Sequence, residues 1–419
     1  MLKEEKNKIL RESISATRSK RALQTCKSFK FKIDKSSLSK EQKESIKMFF
    51  VEAKRTYNYI LNDINNGEDL FKYDYKKLNH ITYYDKDRNL IEYDNKYIKT
   101  SVIQEIIAGM KYSIKGLSAS KKNGNKVGAL RFKSECNSIS LKQYGTTHYI
   151  RGNKFKIQGI KKPIRVNGLK QLEQYDNIDY TVANLLYDGY DYFISLTCYI
   201  DKEIKIKNDN IIGIDLGCES TVTTSDGEKM KVSIEESKRL KGLQAKLAKQ
   251  TKRSNNWYKT KSKIRKEYNK MTNKKEDVAN KIVNKLSYNK LIIMQDDQIN
   301  EWHENERLSK TIQRSVIGRV KSKLQKKDNV IILDQWFPTS KYCFECGCKT
   351  DLALSDRTFI CSECGCETDR DAHAAKNMID FYIKIKSAGT VDLKPGRKVV
   401  YNKYKHLFEQ EAQSSLAVE

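Results

Sequence analysis

Two short cysteine motifs near the C-terminal end constrain the fold of this chain most strongly. Cys343 and Cys346 form one C-x-x-C-G motif, Cys361 and Cys364 form a second, and 14 residues separate them. In each motif two thiolates can reach the same ion, and the glycine after the second cysteine permits a tight backbone turn. Because four thiolates fill a tetrahedral coordination shell, this spacing predicts one closed, structural zinc site.

The remaining six cysteines are weaker candidates for metal ligands. Cys348 and Cys366 follow the two motifs by two residues, so we interpret them as spare thiols or alternative ligands. Four others are isolated in the sequence and are predicted to be buried thiols: Cys26, Cys136, Cys198 and Cys218. The charged N-terminus lacks the apolar core of an export signal, and no run of about 18 apolar residues predicts a membrane span. We therefore expect a cytoplasmic protein of the prokaryotic type whose cysteines stay reduced.

The chain carries a large excess of positive charge. Its 81 Lys and Arg residues exceed its 53 Asp and Glu residues by 28. Between Lys238 and Lys290 there are 18 basic residues and three acidic ones, while the apolar residues keep helical spacing. This pattern predicts two helices that bury one face and present Lys and Arg on the other. A surface of that kind indicates a nucleic-acid partner and argues against a merely soluble surface, where both signs of charge are expected.

A length of 419 residues suggests two to four domains. The predicted segments are a tail at 1–24, a β-barrel-like module at 25–209 with a helical insertion at about 40–120, a mixed α/β domain at 210–337 and 367–386 that includes the basic helices at 238–290, a cysteine segment at 338–366, and a C-terminal tail at 387–419. Short alternating or apolar runs predict strands at 129–133, 138–143, 148–150 and 154–157, and a hairpin within 182–200. Residues 65–95 are predicted as a loop with short helices, and residues 308–324 as one helix.

Acidic residues stand at the ends of separate predicted elements in the α/β domain. Asp215 ends the first strand of a three-stranded meander, Asp296 and Asp297 follow a strand at 291–294, and Asp371 opens the final helix. A meander followed by helix, strand and helix, with acids at these points, is the pattern of an RNase H-like nuclease, in which carboxylates hold two Mg²⁺ ions. Mg²⁺ suits such a site because it prefers oxygen ligands and keeps bound water. Considered singly, Asp215 could equally cap a strand and Asp371 a helix.

Taken together, these motifs resemble the TnpB (OrfB) transposon-encoded nucleases and the related miniature type V CRISPR effectors. Residues 213–217 resemble the first RuvC motif of those proteins, residues 291–299 the second, and residues 369–377 the third. The cysteine motifs resemble the zinc ribbon that lies between the second and third motifs, and the basic helices resemble the bridge region. The N-terminal half adds weaker matches at 57–58 and 126–133, and the resemblance spans about residues 24 to 385.

Two positions depart from the family pattern. Asp297 stands where the second motif usually has Glu, which is one methylene longer, so we expect retained but altered activity, with Asp296, Glu301 or Glu304 as fallback ligands. His373 stands where the third motif often has Asn, and a neutral imidazole can serve as the same hydrogen-bond donor.

The resemblance implies a multidomain fold of mixed α/β and β structure, with an RNase H-like (RuvC) nuclease domain, an inserted zinc ribbon and an N-terminal wedge module. It implies an RNA-guided DNA endonuclease, in which Asp215, Asp297 and Asp371 hold two Mg²⁺ ions and cleave DNA, with Asp296 and Asp369 as alternates. The implied partners are a guide RNA and double-stranded DNA with a short adjacent motif. Two alternatives remain: a nuclease-inactive RNA-guided repressor, and a zinc-ribbon DNA-binding factor without guide RNA.

Overall fold

The computed structural model describes residues 3–85, 87–202, 210–288, 290–304, 306–353, 356–389 and 398–409. The chain divides into two compact units, Met1–Lys202 and Glu203–Glu419. The boundary predicted at residues 209 and 210 falls beside a segment, 203–209, that lies outside the described residues. None of the described helices combines the length and the apolar composition that a membrane span requires.

The first unit is built on a seven-stranded antiparallel sheet and three helices. The sheet strands are β1 (Gln24–Ile33), β4 (Ser138–Leu141), β5 (His148–Arg151), β6 (Lys154–Ile157), β7 (Ile164–Asn167), β8 (Ile178–Tyr187) and β9 (Tyr192–Asp201), and a separate hairpin joins β2 (His80–Tyr84) to β3 (Leu90–Asp94). The helices are α1 (Lys3–Ala22), α2 (Lys40–Asn65) and α3 (Thr100–Lys122). The sheet order is β4-β8-β9-β1-β7-β6-β5, so the ladder of the described strands has two edges, and the predicted barrel-like closure is not found among them.

Local sequence explains where α2 begins and which face it buries. The Ser39 side chain accepts a hydrogen bond from the Gln42 N–H, and the Gln42 side chain accepts one from the Ser39 N–H, which forms a capping box. The apolar stripe predicted for this helix is buried in one core together with the inward side chains of β1, among them Ile46, Phe49 and Phe31. The alternation of β1 and the stripe of α2 were therefore sufficient to predict both elements.

Several predicted elements of the first unit differ from the structure. Residues 80–94 form a hairpin where a loop with short helices was predicted. The sequence shows no sign of it, because the turn lacks the Asn-Gly or Asp-Gly pair that usually marks a hairpin. Residues 129–133 belong to no strand, and residues 164–167 form β7, which pairs with β1 and β6. The N-terminal tail is helical as α1, and its last turn is held to β8 by an Arg21–Asp179 ion pair of 2.8 Å.

The second unit contains a six-stranded mixed sheet of order β12-β11-β10-β13-β14-β17. Its strands are β10 (Ile211–Asp215), β11 (Val222–Thr224), β12 (Lys229–Met230), β13 (Leu291–Gln295), β14 (Val330–Leu333) and β17 (Lys398–Val399), and the cysteine segment holds the pair β15 (Thr358–Ile360) and β16 (Glu367–Asp369). The helices are α4 (Lys238–Ala248), α5 (Asn255–Ser287), α6 (Glu306–Arg314), α7 (Ile317–Leu324), α8 (Arg370–Ser387) and α9 (His406–Glu409). The pairs β10–β13, β13–β14 and β14–β17 are parallel. The pairs β10–β11 and β11–β12 are antiparallel and form the predicted meander.

Helices cover both faces of this sheet. Alternate residues of β13 face opposite ways: Ile292 packs with α5 and α7, whereas Ile293 packs with α8. The predicted basic helical pair is confirmed as α4 and α5. The helix predicted over 308–324 is interrupted at Ser315. The Ser315 hydroxyl accepts a hydrogen bond of 3.0 Å from the N–H of Ile317, the first residue of α7.

The C-terminal segment also differs from its prediction as a tail. Among residues 398–409, Val399 pairs in parallel with β14 as part of β17, and Phe408 is 1% exposed in the core beneath α8. The few aromatic residues of this segment pack against apolar side chains of α8, and no local sequence pattern indicates that contact. Residues 390–397 and 410–419 of the predicted tail lie outside the described residues.

Gly213 in β10 is the point where α8 meets the sheet. A Cβ atom at this position would lie 1.8 Å from the Ala375 carbonyl oxygen of α8. The strand is fixed on its other side by hydrogen bonds from Gly213 N–H to Ser225 Oγ (3.2 Å) and from Ser225 N–H to Gly213 O (2.9 Å). The glycine is therefore required by the close approach of two backbones.

We predict that Gly213→Ala lowers the free energy of unfolding by roughly 1 to 3 kcal/mol, because helix and strand must separate to admit the methyl group. Gly242→Ala is the matched control: it lies in α4 with open space around it, and alanine favours a helix. Chemical denaturation of both variants measures the effect. Equal stability of the Gly213 variant and the parent would contradict the role given to this contact.

Candidate metal centres

The four cysteines of the two motifs converge on one point. Their Sγ atoms all lie within 4.8 Å of one another. The Sγ–Sγ distance is 3.7 Å from Cys343 to Cys364 and 3.5 Å from Cys346 to Cys361. A tetrahedral zinc ion with Zn–S bonds of about 2.3 Å places its sulfurs roughly 3.8 Å apart, so these thiols fit that ion.

Backbone turns of the same form present both cysteine pairs. The Cys343 N–H donates to Cys348 O at 2.9 Å, and the Gly347 N–H donates back to Cys343 O at 2.9 Å, with Gly347 at φ +79°. In the second motif the Cys361 N–H donates to Cys366 O at 2.9 Å. Cys348 and Cys366 therefore close the turns through their carbonyl groups, and neither belongs to the group of converging thiols.

The thiols of the cluster differ in their tendency to ionise: burial raises the pKa of Cys343 to about 11 and also raises the pKa of Cys346. Burial opposes ionisation of Cys361, but hydrogen bonds from the backbone N–H groups of Cys364 and Glu363 and from the Cys346 and Cys364 thiols outweigh it and lower the pKa of this thiol to about 6. Outside the motifs, Cys198 is buried as predicted, Cys136 and Cys218 are half-buried, and Cys26 is exposed. The prediction of a buried thiol is therefore wrong at Cys26, which lies near the start of β1.

His373 and Asn377 connect α8 to the start of the cysteine segment. His373 Nε2 donates to Tyr342 O at 2.7 Å, and its ring stacks on Phe359 with the ring centres 3.6 Å apart. Asn377 Nδ2 donates to Thr339 O at 2.6 Å. Burial lowers the pKa of His373, so the imidazole is neutral near pH 7. The hydrogen bond predicted for this histidine is thus present, but it anchors the cysteine segment.

Three carboxylates are positioned by elements that meet at one edge of the sheet. Asp215 is the last residue of β10, and Asp297 follows the end of β13 by two residues. These strands are parallel neighbours in which Ile214 pairs with Met294, so their carboxyl ends lie side by side. Asp371 lies in the first turn of α8, which packs on β10 at Gly213.

The pKa of Asp215 depends on the charges of the other two acids. Burial raises the pKa of Asp215 to about 8, and the charges of Asp297 and Asp371 contribute to the rise. Burial raises the pKa of Asp297 to about 6, against the opposing effect of the Lys321 ammonium group.

The neighbours Asp296 and Asp297 have different surroundings. Asp296 Oδ1 lies 2.7 Å from Lys321 Nζ, and Asp296 Oδ2 lies 2.7 Å from Lys398 Nζ. These ammonium groups outweigh the effect of burial and hold the pKa of Asp296 below its usual value. Asp297 Oδ2, by contrast, is a buried oxygen that lacks a hydrogen-bond partner within the described part of the chain. Asp297 therefore keeps one oxygen, Oδ2, without a partner among the described residues, whereas both oxygens of Asp296 are paired in an ion-pair latch with Lys321 and Lys398.

Asp369 has a local structural role. Its Oδ1 accepts from the Ala372 N–H at 3.1 Å and caps α8, and its Oδ2 lies 2.6 Å from Lys229 Nζ. The same ammonium group is 4.0 Å from Asp371 Oδ2. Glu301 and Glu304, the other fallback ligands, lie on a 3₁₀ turn that follows Asp297 in the chain. Sequence reasoning missed the basic residues around these acids, since a chain with 81 Lys and Arg residues offers no local signal to select three of them.

Among the described residues, only the four cysteines form a group of three or more candidate ligands with all ligand atoms within 4.8 Å. The three carboxylates are not among the groups of described residues that could hold a single ion. The unpartnered Asp297 oxygen nevertheless fits an oxygen-seeking cation such as Mg²⁺.

We predict about one zinc ion per chain, with Cys364→Ser lowering both zinc content and the unfolding temperature. Cys366→Ser, two residues away, should retain both, because its thiol is not in the converging group. Metal analysis and thermal unfolding check this pair. Zinc-free protein, or equal losses in the two variants, would contradict the assignment.

We predict that ionisation of Asp215 destabilises the protein in Mg²⁺-free buffer. Its folded-state pKa of about 8 exceeds the ordinary value, so its stabilising effect is present below about pH 4 and is lost as pH rises through 8. Asp215→Asn never ionises. The unfolding temperature of the variant minus that of the parent should therefore increase from about pH 5.5 to about pH 8.5. A difference that does not change with pH would show that Asp215 is not buried among acids.

Comparisons with known proteins agree with the sequence motifs. A family model named OrfB_IS605, described as a probable transposase, matches residues 196–292, which contain Asp215 and the basic helices. A second model, described as a Cas12f1-like TNB domain, matches residues 314–378, which contain the four cysteines and Asp371.

A curated relative from Streptomyces pristinaespiralis, named a putative RNA-guided DNA endonuclease, is 28% identical over 198 residues, or 45% of this chain. The chain spans about half of that relative, 49% of its length. A solved structure titled "Cryo-EM structure of the Cas12f1-sgRNA-target DNA complex" aligns with 14% identity and a TM-score of 0.44, covering 81% of each chain. The two family models and the curated relative confirm the resemblance of this chain to the TnpB/OrfB nucleases and the miniature type V effectors.

Proposed function

We propose that this protein is an RNA-guided DNA endonuclease whose RuvC site consists of Asp215, Asp297 and Asp371. The observation that carries the proposal is the buried, unpartnered Asp297 Oδ2, which stands beside two further carboxylates at the same sheet edge. A buried carboxylate oxygen without a partner is costly, and a bound cation removes that cost. The match of residues 196–292 to a transposase family model supports the same conclusion.

The three carboxylates are suited to hold Mg²⁺ ions. Mg²⁺ bound there would polarise a phosphodiester and lower the pKa of a bound water that attacks it. The residues themselves supply position and charge: Asp215 and Asp297 stand at adjacent strand ends, and Asp371 is held against them by α8. Burial and the charges of Asp297 and Asp371 raise the pKa of Asp215, and a bound cation would offset both effects.

The second motif is held in register by groups that do not face the acids. Gln295 Nε2 donates to Asp334 O and Phe337 O at 3.1 and 2.9 Å, and Gln295 Oε1 accepts from Thr339 Oγ1 at 2.8 Å. Gln295 and Asp296, the two residues before Asp297, are thus both fixed by contacts of their own. We propose that this fixed backbone directs Asp297 towards the other two acids and compensates for its shorter side chain.

The zinc ribbon has a structural role in this proposal. Four thiolates leave no open position for a substrate. The ribbon rests on α8 through His373 and Asn377, and the same helix carries Asp371. Its metal therefore stabilises the helix that completes the acidic site.

The basic helices α4 and α5 are the proposed contact for a nucleic-acid backbone. α5 carries an exposed Tyr258, 54% accessible, next to Trp257, and the Lys261 ammonium lies 4.7 Å from the Trp257 ring centre. Lysines beside exposed aromatic rings suit phosphates and bases. The printed name of the curated relative supports a guide RNA and target DNA as the partners.

A guided repressor that does not cut is the second candidate, favoured by the shorter Asp297 in place of the usual Glu. The buried and unpartnered state of its carboxylate supports cleavage instead, since a repressor has no need to leave it so. Cleavage of a guided target in Mg²⁺ or Mn²⁺ separates the two functions.

We predict that Asp297→Ala abolishes Mg²⁺-dependent cleavage and leaves guided DNA binding intact. The substitution removes a metal ligand but no positive charge from the nucleic-acid surface. Asp296→Ala is the matched neighbour: it should lower the unfolding temperature and retain cutting, because it breaks only the latch to Lys321 and Lys398.

The measurement is nuclease activity and DNA binding of the RNA-loaded protein, and Asp215→Ala and Asp371→Ala should lose cleavage to the same extent as Asp297→Ala. Normal cutting by Asp297→Ala with loss in Asp296→Ala would reverse the assignment of the two acids. Purified protein without any discrete RNA, and with DNA binding unaffected by added RNA, would remove the guided function itself.

A further inference from the structure

An exposed segment of the first unit, residues 126–133, is held in place by one side chain of α2. Asn58 Nδ2 donates to Lys133 O at 3.0 Å, and the Lys133 N–H donates to Asn58 Oδ1 at 2.8 Å. The amide thus supplies the two hydrogen bonds that a neighbouring strand would otherwise make. We call residues 126–133 the clamped segment.

A second contact with α2 fixes the same end of the segment. The Lys133 ammonium lies 3.8 Å from the centre of the Tyr57 ring, the residue next to Asn58. At the other side of Phe132, Leu130 is half-buried and packs on the core of the unit. Backbone and side chains therefore restrain the segment on both sides of Phe132, and the contact between Asn58 and Lys133 joins residues that are 75 positions apart in the chain.

Phe132 itself is not part of that restraint. Its side chain is 56% exposed, although it lies between two anchored residues. Holding an exposed segment still costs roughly 1 to 2 kcal/mol per residue in backbone entropy, and an exposed ring returns little of it. Fixing a ring in solvent is advantageous where a partner binds it, because the ordering cost is then met before binding.

The charge around the ring indicates what that partner is. Residues 121–133 contain five basic residues and no acidic one: Lys121, Lys122, Lys126, Arg131 and Lys133. Arg131 is exposed next to Phe132. An aromatic face among cations suits a nucleotide, whose base stacks on the ring while its phosphates meet the charges. A protein partner that binds the ring in an apolar pocket would not require this excess of positive charge.

We propose that the clamped segment binds an unpaired RNA nucleotide, with the base stacked on Phe132 and a neighbouring phosphate bound by Arg131. Asn58 is the positioning residue. The proposal rests on the proposed function and adds a contact to it: a ring that the protein's own contacts hold in place suits a partner that stays bound, and in a guided nuclease that partner is the guide. Single-stranded DNA carries the same base and phosphate chemistry, so the experiment compares both.

The test measures binding of a fluorescein-labelled 20-nucleotide oligouridine RNA and of the matching oligothymidine DNA to the full chain, by anisotropy at several salt concentrations. Phe132→Ala should weaken RNA binding about 5- to 100-fold, the range of one lost stacking contact. Phe132→Trp should restore it. Arg131→Gln should reduce the slope of log Kd against log salt by about one, as expected for one phosphate contact.

Asn58→Ala provides a readout that a merely structural role would not move. Alanine is the better helix former, so α2 should persist. If the clamp acts by presenting the ring, Asn58→Ala should weaken RNA binding as much as Phe132→Ala, and the double variant should be no weaker than either single one. Tyr84→Ala, at a 71% exposed ring of the same unit, is the control and should bind normally.

Three outcomes would overturn the inference. Unchanged RNA binding by Phe132→Ala removes the stacking contact, and additive losses in the double variant remove the clamp. A loss confined to the DNA probe assigns the segment to DNA. Protein that binds neither probe and carries no RNA contradicts the proposed function as a whole, and is thereby distinguished from failure of this contact alone.

Discussion

The close approach of α8 to β10 at Gly213 is the contact on which the second unit depends. With no side chain on Gly213, the Ala375 carbonyl of the helix occupies the space where a Cβ atom would lie. This contact sets the distance between the strand that ends in Asp215 and the helix that begins near Asp371. It also determines where the cysteine segment rests, because His373 and its neighbours on the same helix bind the start of that segment.

The carboxylates are held together against their own repulsion. Burial raises the pKa of Asp215 to about 8, and the charges of Asp297 and Asp371 add to the rise, so the ionised form of Asp215 is unfavourable without a cation. Nearby lysines relieve only part of this cost, since Lys321 and Lys398 pair with Asp296 and Lys229 pairs with Asp369. The acids proposed as metal ligands are those that the lysines leave least neutralised.

The first unit uses a different means of presenting its functional surface. Its sheet and helices bury the apolar residues in a single core, and basic and aromatic residues remain on segments outside it. The hydrogen bonds between Asn58 and Lys133 join residues that are 75 positions apart, and these residues belong to the two stretches that gave the weaker family matches in this half of the chain. Their meeting in the fold gives both matches one physical role.

The sequence alone determined the features that depend on short-range spacing. The two C-x-x-C-G motifs predict the thiol cluster because each turn is local, and the alternation of β1 and the apolar stripe of α2 predict those elements for the same reason. Three acids could be placed at element ends, but the choice between Asp296 and Asp297 required the fold, since it depends on lysines 25 and about 100 residues away along the chain. The β2–β3 hairpin, the packing of residues 398–409 and the anchoring role of His373 were likewise decided by tertiary structure. Each rests on a partner distant in sequence, and local patterns carry no information about such partners.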